Sequence, residues 1–375
     1  MSEDVIELLT TLVSIDSVNP ALILGAAGET RIAEYVAIWA SQNGLAAEHV
    51  ETTPSRPSVI VRGGSTNGPT LLLCGHLDTV GIDGVTDPFI PRVDGDRLYG
   101  RGAYDMKAGL AAALIACREA DQAGIAGQII VAAVADEEHA SLGVQEVLEH
   151  VRADAAIVTE PTELEVATAH KGFVWTEIEV TGRSAHGSRP HLGIDAIMQT
   201  GPILQAIHSL QGELATRRLH PTLGPGTLHA SLITGGREES TIPERCLLTI
   251  ERRTLPGESL ADVEADVARL LQQCRDADAA LTVNARTTLA RDPFETSSDE
   301  PIVQALQQAA PDPRGSVPVG VSYWADSAFI AAAGIPTVLF GPDGDGAHAT
   351  TEWASISGTI QCARTLYAVA MDFCG

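Results

Sequence analysis

Five short polar runs carry the residue types that do metal or hydrolytic chemistry. They are Gly75-His76-Leu77-Asp78, Gly100-Arg101-Gly102-Ala103-Tyr104-Asp105-Met106-Lys107-Ala108-Gly109, Asp136-Glu137-Glu138-His139, Thr159-Glu160-Pro161-Thr162 and Gly346-Ala347-His348-Ala349-Thr350-Thr351-Glu352-Trp353. In extended chain, His76-x-Asp78 points both side chains to one side. A neutral imidazole is a good zinc ligand, and a neighbouring carboxylate can hold its other ring nitrogen. The plainer reading of such a pair is a turn cap. Adjacent carboxylates such as Glu137 and Glu138 repel unless a cation or a proton separates their roles, so one could ligate metal while the other handles protons. A lone acidic triplet is ordinarily a solvated loop or helix start, and a lone loop histidine is ordinarily no ligand. Taken together, the inventory is two His, one Asp and two Glu, with one Glu to spare. Mixed imidazole and carboxylate ligands suit zinc, or cobalt or manganese. The set exceeds what one catalytic zinc needs and suits two metals sharing a bridging carboxylate.

The elements that must position these runs alternate along the first 170 residues. Val5, Leu8, Leu9, Leu12 and Val13 fall at helical spacing. A second helix is expected from Glu29 to Gln42, stopping at Asn43-Gly44. Thr70 to Cys74, Gln128 to Ala135 and Ala155 to Val158 are continuous apolar runs, the pattern of strands buried on both faces. Met106 to Ala123 and Leu142 to Val151 separate them as helices. Strands separated by helices predict an α/β catalytic domain with a mostly parallel sheet flanked by helices. The five polar runs follow strand ends, where open α/β sheets bind their ligands.

After Lys171-Gly172 the pattern changes. Trp175 to Val180 alternates polar and apolar, as in a sheet with one wet face. Helices over Ile194–Leu210 and Leu260–Cys274 and strands over Thr227–Ile233, Cys246–Glu251 and Ala280–Ala285 make an α+β unit. The α/β pattern resumes from Asp292, with a strand over Pro336–Phe340 and a last helix near Gly358–Phe373. The expected organisation is a catalytic domain over 1–172 and 290–375, interrupted by an inserted lid and dimerisation domain over 173–289.

The chain of 375 residues is 45% hydrophobic and 19% charged, enough apolar material for a core. Lys and Arg total 24 against 49 Asp and Glu, a formal net charge of −25. That balance argues against gripping nucleic acid or an anionic membrane surface, and no apolar run reaches membrane-spanning length. Met1-Ser2-Glu3-Asp4 lacks the basic and apolar regions of a signal peptide, and the six scattered cysteines form no CxxC pair. A cytoplasmic location is therefore expected. Cys74, inside an apolar run, reads as a small buried hydrophobe.

The five runs, in this order and with an insert before the last, resemble the zinc amidohydrolase family of acetylornithine deacetylase, succinyl-diaminopimelate desuccinylase, aminoacylase and carboxypeptidase G. The resemblance covers essentially the whole chain. It implies that Asp105 bridges two divalent metals, most readily zinc, with cobalt or manganese as substitutes. His76 and Glu160 would complete one metal, and Glu138 and His348 the other. Glu137 would be the general base and Asp78 would orient His76. The Asp105–Met106 peptide would be cis.

In the insert, Gly182-Arg183-Ser184-Ala185-His186-Gly187-Ser188 resembles the segment whose histidine, in dimeric relatives, reaches into the partner's site to stabilise an oxyanion. His186 takes that role by resemblance, and a homodimer follows. Arg253, in Arg252-Arg253-Thr254-Leu255-Pro256-Gly257-Glu258, matches an arginine that binds the substrate carboxylate, and Arg252 reads as a surface charge. Many relatives have Asn in a turn where this chain has Ser240-Thr241-Ile242-Pro243. Ser240 therefore replaces an amide with a hydroxyl at a substrate-binding position.

The implied reaction is hydrolysis of the amide of an N-acyl-amino acid. The run Ala169–Gly172 and the Ser-x-x-Pro turn lean toward acetylornithine deacetylase-like members. A dipeptidase or carboxypeptidase acting on a short peptide at the same centre is the alternative, with a carbamoylase-type reaction behind it. An inactive binding protein on the same fold is opposed by the presence of every ligand and the base.

Overall fold

The computed structural model describes residues 1–310 and 317–375. The chain divides into two compact units. One comprises Met1–Thr168, Thr296–Val319 and Ala325–Gly375, and the other Ala169–Glu295 with Gly320–Trp324.

The first unit is built on a sheet whose four central strands are parallel, in the order Gln128–Val134, Thr70–His76, Ala155–Val158, Thr337–Leu339. Their apolar runs are buried on both faces, with Leu71, Leu73, Ile129, Val131 and Ile157 in one continuous core. Helices Ser2–Ser14, Thr30–Gln42, Ala108–Ala123 and Ile356–Phe373 contribute their apolar stripes to that core. The fold is thus the expected α/β sheet, mostly parallel at its centre. Strands Ala46–Val50 and Ser58–Gly64 extend it antiparallel at one edge. The sequence pattern gives little sign of the outer one, because an exposed edge strand need not be apolar and Glu48 and His49 face solvent.

The helix expected from Met106 begins instead at Ala108. Before it, the turn Ala103–Lys107 departs from helical geometry at Asp105 and Met106, and the Asp105–Met106 peptide is cis. Gly109 opens the helix against the end of a sheet strand. A Cβ there would lie 1.9 Å from the Thr159 carbonyl oxygen, so only glycine permits this approach. A small antiparallel sheet joins Arg92–Asp94, Arg97–Tyr99, Trp353–Ser355 and Gly344–Asp345. In it Trp353 pairs with Tyr99, which delivers Glu352 to the turn after Gly100.

The second unit is a four-stranded antiparallel sheet, ordered Thr227–Gly235, Arg245–Thr254, Gly172–Thr181, Thr282–Arg291. Helices Ala196–Arg217 and Leu260–Ala277 pack on one face through Ile203, Ile207, Val267 and Leu271 against Ile178, Val180, Leu248 and Ile250. Ser259 and Asp262 close a capping box at the start of the second helix. Arg252 corrects the expectation of a surface charge. Strand alternation puts it on the inward face with Leu248 and Ile250, and it is buried, paired with Glu258 at 2.5 Å.

Candidate metal centre

The ends of the central strands bring His76, Asp105, Glu137, Glu138, Glu160 and His348 together in the first unit. His76 is the last residue of its strand, Glu137 and Glu138 follow Gln128–Val134, and Glu160 follows Ala155–Val158. Asp105 sits between the two imidazoles. Its Oδ1 lies 3.1 Å from His76 Nε2 and its Oδ2 lies 3.2 Å from His348 Nε2. Glu138 Oε2 lies 3.1 Å from His348 Nε2, and Glu137 Oε2 and Glu160 Oε1 each lie 3.9 Å from His76 Nε2. One carboxylate facing two histidines from its two oxygens is the arrangement a bridging ligand needs.

Ligand atoms in two overlapping groups lie within 4.8 Å of one another: His76 with Glu137 and Glu160, and His76 with Asp105 and Glu138. Distance alone therefore does not distinguish Glu137 from Glu160 as a ligand. Four carboxylates converge on two imidazoles, an excess of negative charge that burial makes costly without cations. Glu138 Oε1 is buried with no hydrogen-bond partner among the described residues, so a donor or cation suits that position. Oxygen and imidazole donors at these separations fit divalent metal ions.

The electrostatics follow the crowding. Burial, reinforced by neighbouring carboxylates, holds Glu137 and Glu160 well above the usual carboxylate range. Burial and the charge of Asp105 raise Glu138. Burial alone would also raise Asp105, but hydrogen bonds from His348 and His76 outweigh it and hold Asp105 below the usual range. Hydrogen bonds to Asp105 and Glu138 raise His348 to about 10.

Asp78 is fully buried directly behind His76. His76 Nδ1 lies 3.0 Å from the Asp78 backbone carbonyl and 3.7 Å from its Oδ1. The Asp78 carboxylate is engaged elsewhere: it accepts the backbone N–H groups of Glu137 at 3.1 Å and Glu138 at 3.2 Å. Lys107, also buried, donates from Nζ to the Ile15 carbonyl at 2.9 Å, and burial pulls its ammonium down to about 7.

Two contributors escaped the sequence reading. Glu352 accepts the backbone N–H groups of Gly102, Tyr104 and Asp105 and an Arg101 guanidinium hydrogen bond. It lies about 250 residues from that turn in the chain, so no local spacing signals the contact. Arg56 forms a buried cluster with Glu29, Asn19 and Asp136. Its signal would have been an arginine beside a run of apolar strand residues, too common to single out.

The other residues singled out in the sequence belong to the second unit. His186 is exposed, and its Nδ1 accepts from the Ser188 backbone N–H at 3.1 Å, which leaves Nε2 to carry the proton. Ser240 is exposed, and its carbonyl accepts the Gly187 N–H at 2.7 Å. Arg253 pairs with Glu251 at 2.7 Å and stacks 5.2 Å from the Phe173 ring centroid. A concavity of about 850 Å³ also opens in this unit around Gly235, Gly236 and Arg245. Its lining also includes Glu179, Glu238 and Glu244.

The model of peptidase family M20/M25/M40 matches residues 72–372, a span that holds every residue of the cluster. The chain belongs to this family. The acetylornithine deacetylase of Myxococcus xanthus is 31% identical over 324 residues, covering 84% of each chain. The aminopeptidase PepT of Bacillus cereus superposes with a TM-score of 0.82 at 18% identity, over 100% of this chain and 99% of its own. A dinuclear metal binding peptidase of the M20 family from Bacillus subtilis superposes with a TM-score of 0.76 at 14% identity, over 100% of this chain and 98% of its own. Both structures share the fold. Membership and the histidine–carboxylate cluster make this chain a metal-dependent hydrolase of amide bonds acting on small substrates. Among the described residues no helix is long and apolar enough to cross a membrane.

Proposed function

We propose that the chain is a deacylase that cleaves the amide of an N-acyl-amino acid, with two divalent metals, zinc first among them, held by the cluster. The observation that carries this reading is Asp105, whose two oxygens face His76 and His348 separately. The 31% identity to an acetylornithine deacetylase supports a deacylase over a peptidase. In this reading His76 and Glu160 would hold one ion, Glu138 and His348 the other, and Asp105 would serve both. Bound metal would polarise the scissile carbonyl and acidify water.

The chain's own groups supply the proton traffic. Among the described residues the Glu137 side chain makes no hydrogen bond, and burial raises its affinity for protons, which suits a group that accepts a proton from water. Its Oε2 takes the proton from the attacking water and returns it to the leaving amine nitrogen. Asp78 holds the Glu137 and Glu138 amides, which fixes the base relative to its neighbour. His186 of one copy would donate from Nε2 to the oxyanion developing in the partner copy's site, its Nδ1 being held by the Ser188 N–H. Arg253 would bind the substrate carboxylate with its guanidinium fork, and Ser240, beyond the opposite end of the same strand, would offer its hydroxyl to another part of the substrate.

The second unit serves as lid and dimerisation domain. Its edge strand Thr227–Gly235 is exposed along most of its length, with Leu232 and Ile233 in solvent, which suits pairing of two copies into a homodimer. All six cysteines are free and buried, which suits a cytoplasmic location. A panel of N-acyl-amino acids and unblocked dipeptides, assayed with added zinc or cobalt, tests the reading. Turnover of acylated amino acids supports it, and turnover of unblocked dipeptides alone favours a dipeptidase.

A further inference from the structure

The turn that carries Glu137 and Glu138 is gripped from behind by a guanidinium that the proposed reaction does not use. Arg56 is 8% exposed. Its Nε donates to Glu29 Oε2 at 2.8 Å, and its Nη2 reaches Glu29 Oε1 at 2.6 Å, Asp136 Oδ1 at 2.6 Å and Asn19 Oδ1 at 3.2 Å. Asn19, fully buried, donates from Nδ2 to Asp78 Oδ2 at 2.8 Å and to Asp136 Oδ1 at 3.0 Å. Asp78 then accepts the Glu137 and Glu138 amides. Arg56 thus reaches the base through Asn19 and Asp78 without touching it.

Stability alone is a poor reason to keep this network. It buries Glu29, Asp136 and Asp78 around one guanidinium, and apolar side chains of similar volume commonly serve a core as well or better. Geometry is the better reason. Asp136 adopts φ 68°, a conformation a non-glycine residue holds when its surroundings impose it. Its carbonyl also accepts the amides of Ala140 and Ser141, so the whole turn hangs on this residue. A planar fork with fixed donors can set such an orientation, whereas a lysine ammonium cannot.

We infer that Arg56, acting through Asn19 and Asp78, is a positioning residue that fixes the Asp136–Glu138 turn, aiming Glu137 at the water and Glu138 at His348. The inference rests on the roles proposed above for Glu137 and Glu138. The test compares Arg56→Lys and Asn19→Ala with the wild-type chain, each loaded with Co(II). The visible absorption bands of cobalt should shift, kcat should fall about 10- to 100-fold, and KM should stay within about twofold. In metal-depleted protein, hydrogen exchange at the Glu137 and Glu138 amides should accelerate about 10-fold or more, while Leu72 in the central strand stays protected.

Wild-type kcat, cobalt spectrum and amide protection in both variants would overturn the inference and leave the network a staple of the fold. If Arg56→Lys does not fold, Asn19→Ala decides the matter, because it leaves the Arg56–Glu29 and Arg56–Asp136 pairs intact. If the wild-type chain neither binds cobalt nor hydrolyses amides, the proposed function fails. The exchange comparison then still decides the positioning of the turn: unchanged protection overturns it.

Discussion

Glu352 holds Asp105 by the backbone. Its Oε1 accepts the Asp105 N–H at 3.0 Å and the Tyr104 N–H at 2.9 Å, while its Oε2 accepts Gly102 N–H and an Arg101 guanidinium hydrogen bond, each at 2.8 Å. One buried carboxylate thereby sets the height and orientation of the residue that faces both histidines. Four donors occupy its two oxygens, so it accepts as an ionised group despite burial that pushes its pKa up.

Glu352→Gln replaces an accepting oxygen with a donor that must face backbone N–H groups. Metal affinity should fall about 10- to 100-fold, as when outer supports of a metal site are lost. A metal titration followed by calorimetry reads this directly. Wild-type affinity in the variant would show that the turn holds Asp105 without help.

Glu137→Gln keeps the size of the side chain and removes its basicity. The expected outcome is a metal content equal to that of the wild type and turnover reduced by about 10²- to 10⁴-fold. Metal analysis and a hydrolysis assay on the same sample separate the two effects. Retained turnover would sink the role of base.

Asp105→Ala removes the oxygens that face His76 and His348, so metal content should drop for both ions together. A full complement of metal in this variant would count against a bridge.

His348 links metal loading to pH. Hydrogen bonds to Asp105 and Glu138 raise its pKa from 6.5 to about 10, so in metal-depleted protein it carries a proton at neutral pH. Its protonated form stabilises the metal-depleted fold fully below about 6.5, and that contribution is lost as pH rises through about 10. A metal needs the neutral imidazole, so loading at pH 7 should release protons, and affinity should climb with pH toward 10. Calorimetry in buffers of different ionisation heat measures the release. Loading without proton release would contradict this protonation state.

The local chemistry was legible in the sequence because the central strands announce themselves. Continuous apolar runs at Thr70–Cys74 and Gln128–Ala135 leave His76 and Glu137 standing just past the end of the hydrophobic pattern. The supports were not legible. Glu352, Arg56 and Asn19 act on residues far away in the chain, and polar residues in loops look alike until the fold pairs them. Asp78 shows the middle case: the sequence places it beside His76, but the structure spends its carboxylate on the amides of Glu137 and Glu138. Arg252 shows the reverse, since strict alternation from Cys246 onward already placed it on the inner face.

If the histidine–carboxylate cluster binds the metals on which amide hydrolysis depends, activity must follow metal content. The most direct test depletes the protein of metal with a chelator and follows hydrolysis of an N-acetyl-amino acid as zinc or cobalt is returned. Activity should disappear on depletion and return to a plateau near two ions per chain. Full turnover in the depleted protein, with no gain on adding either ion, would contradict it.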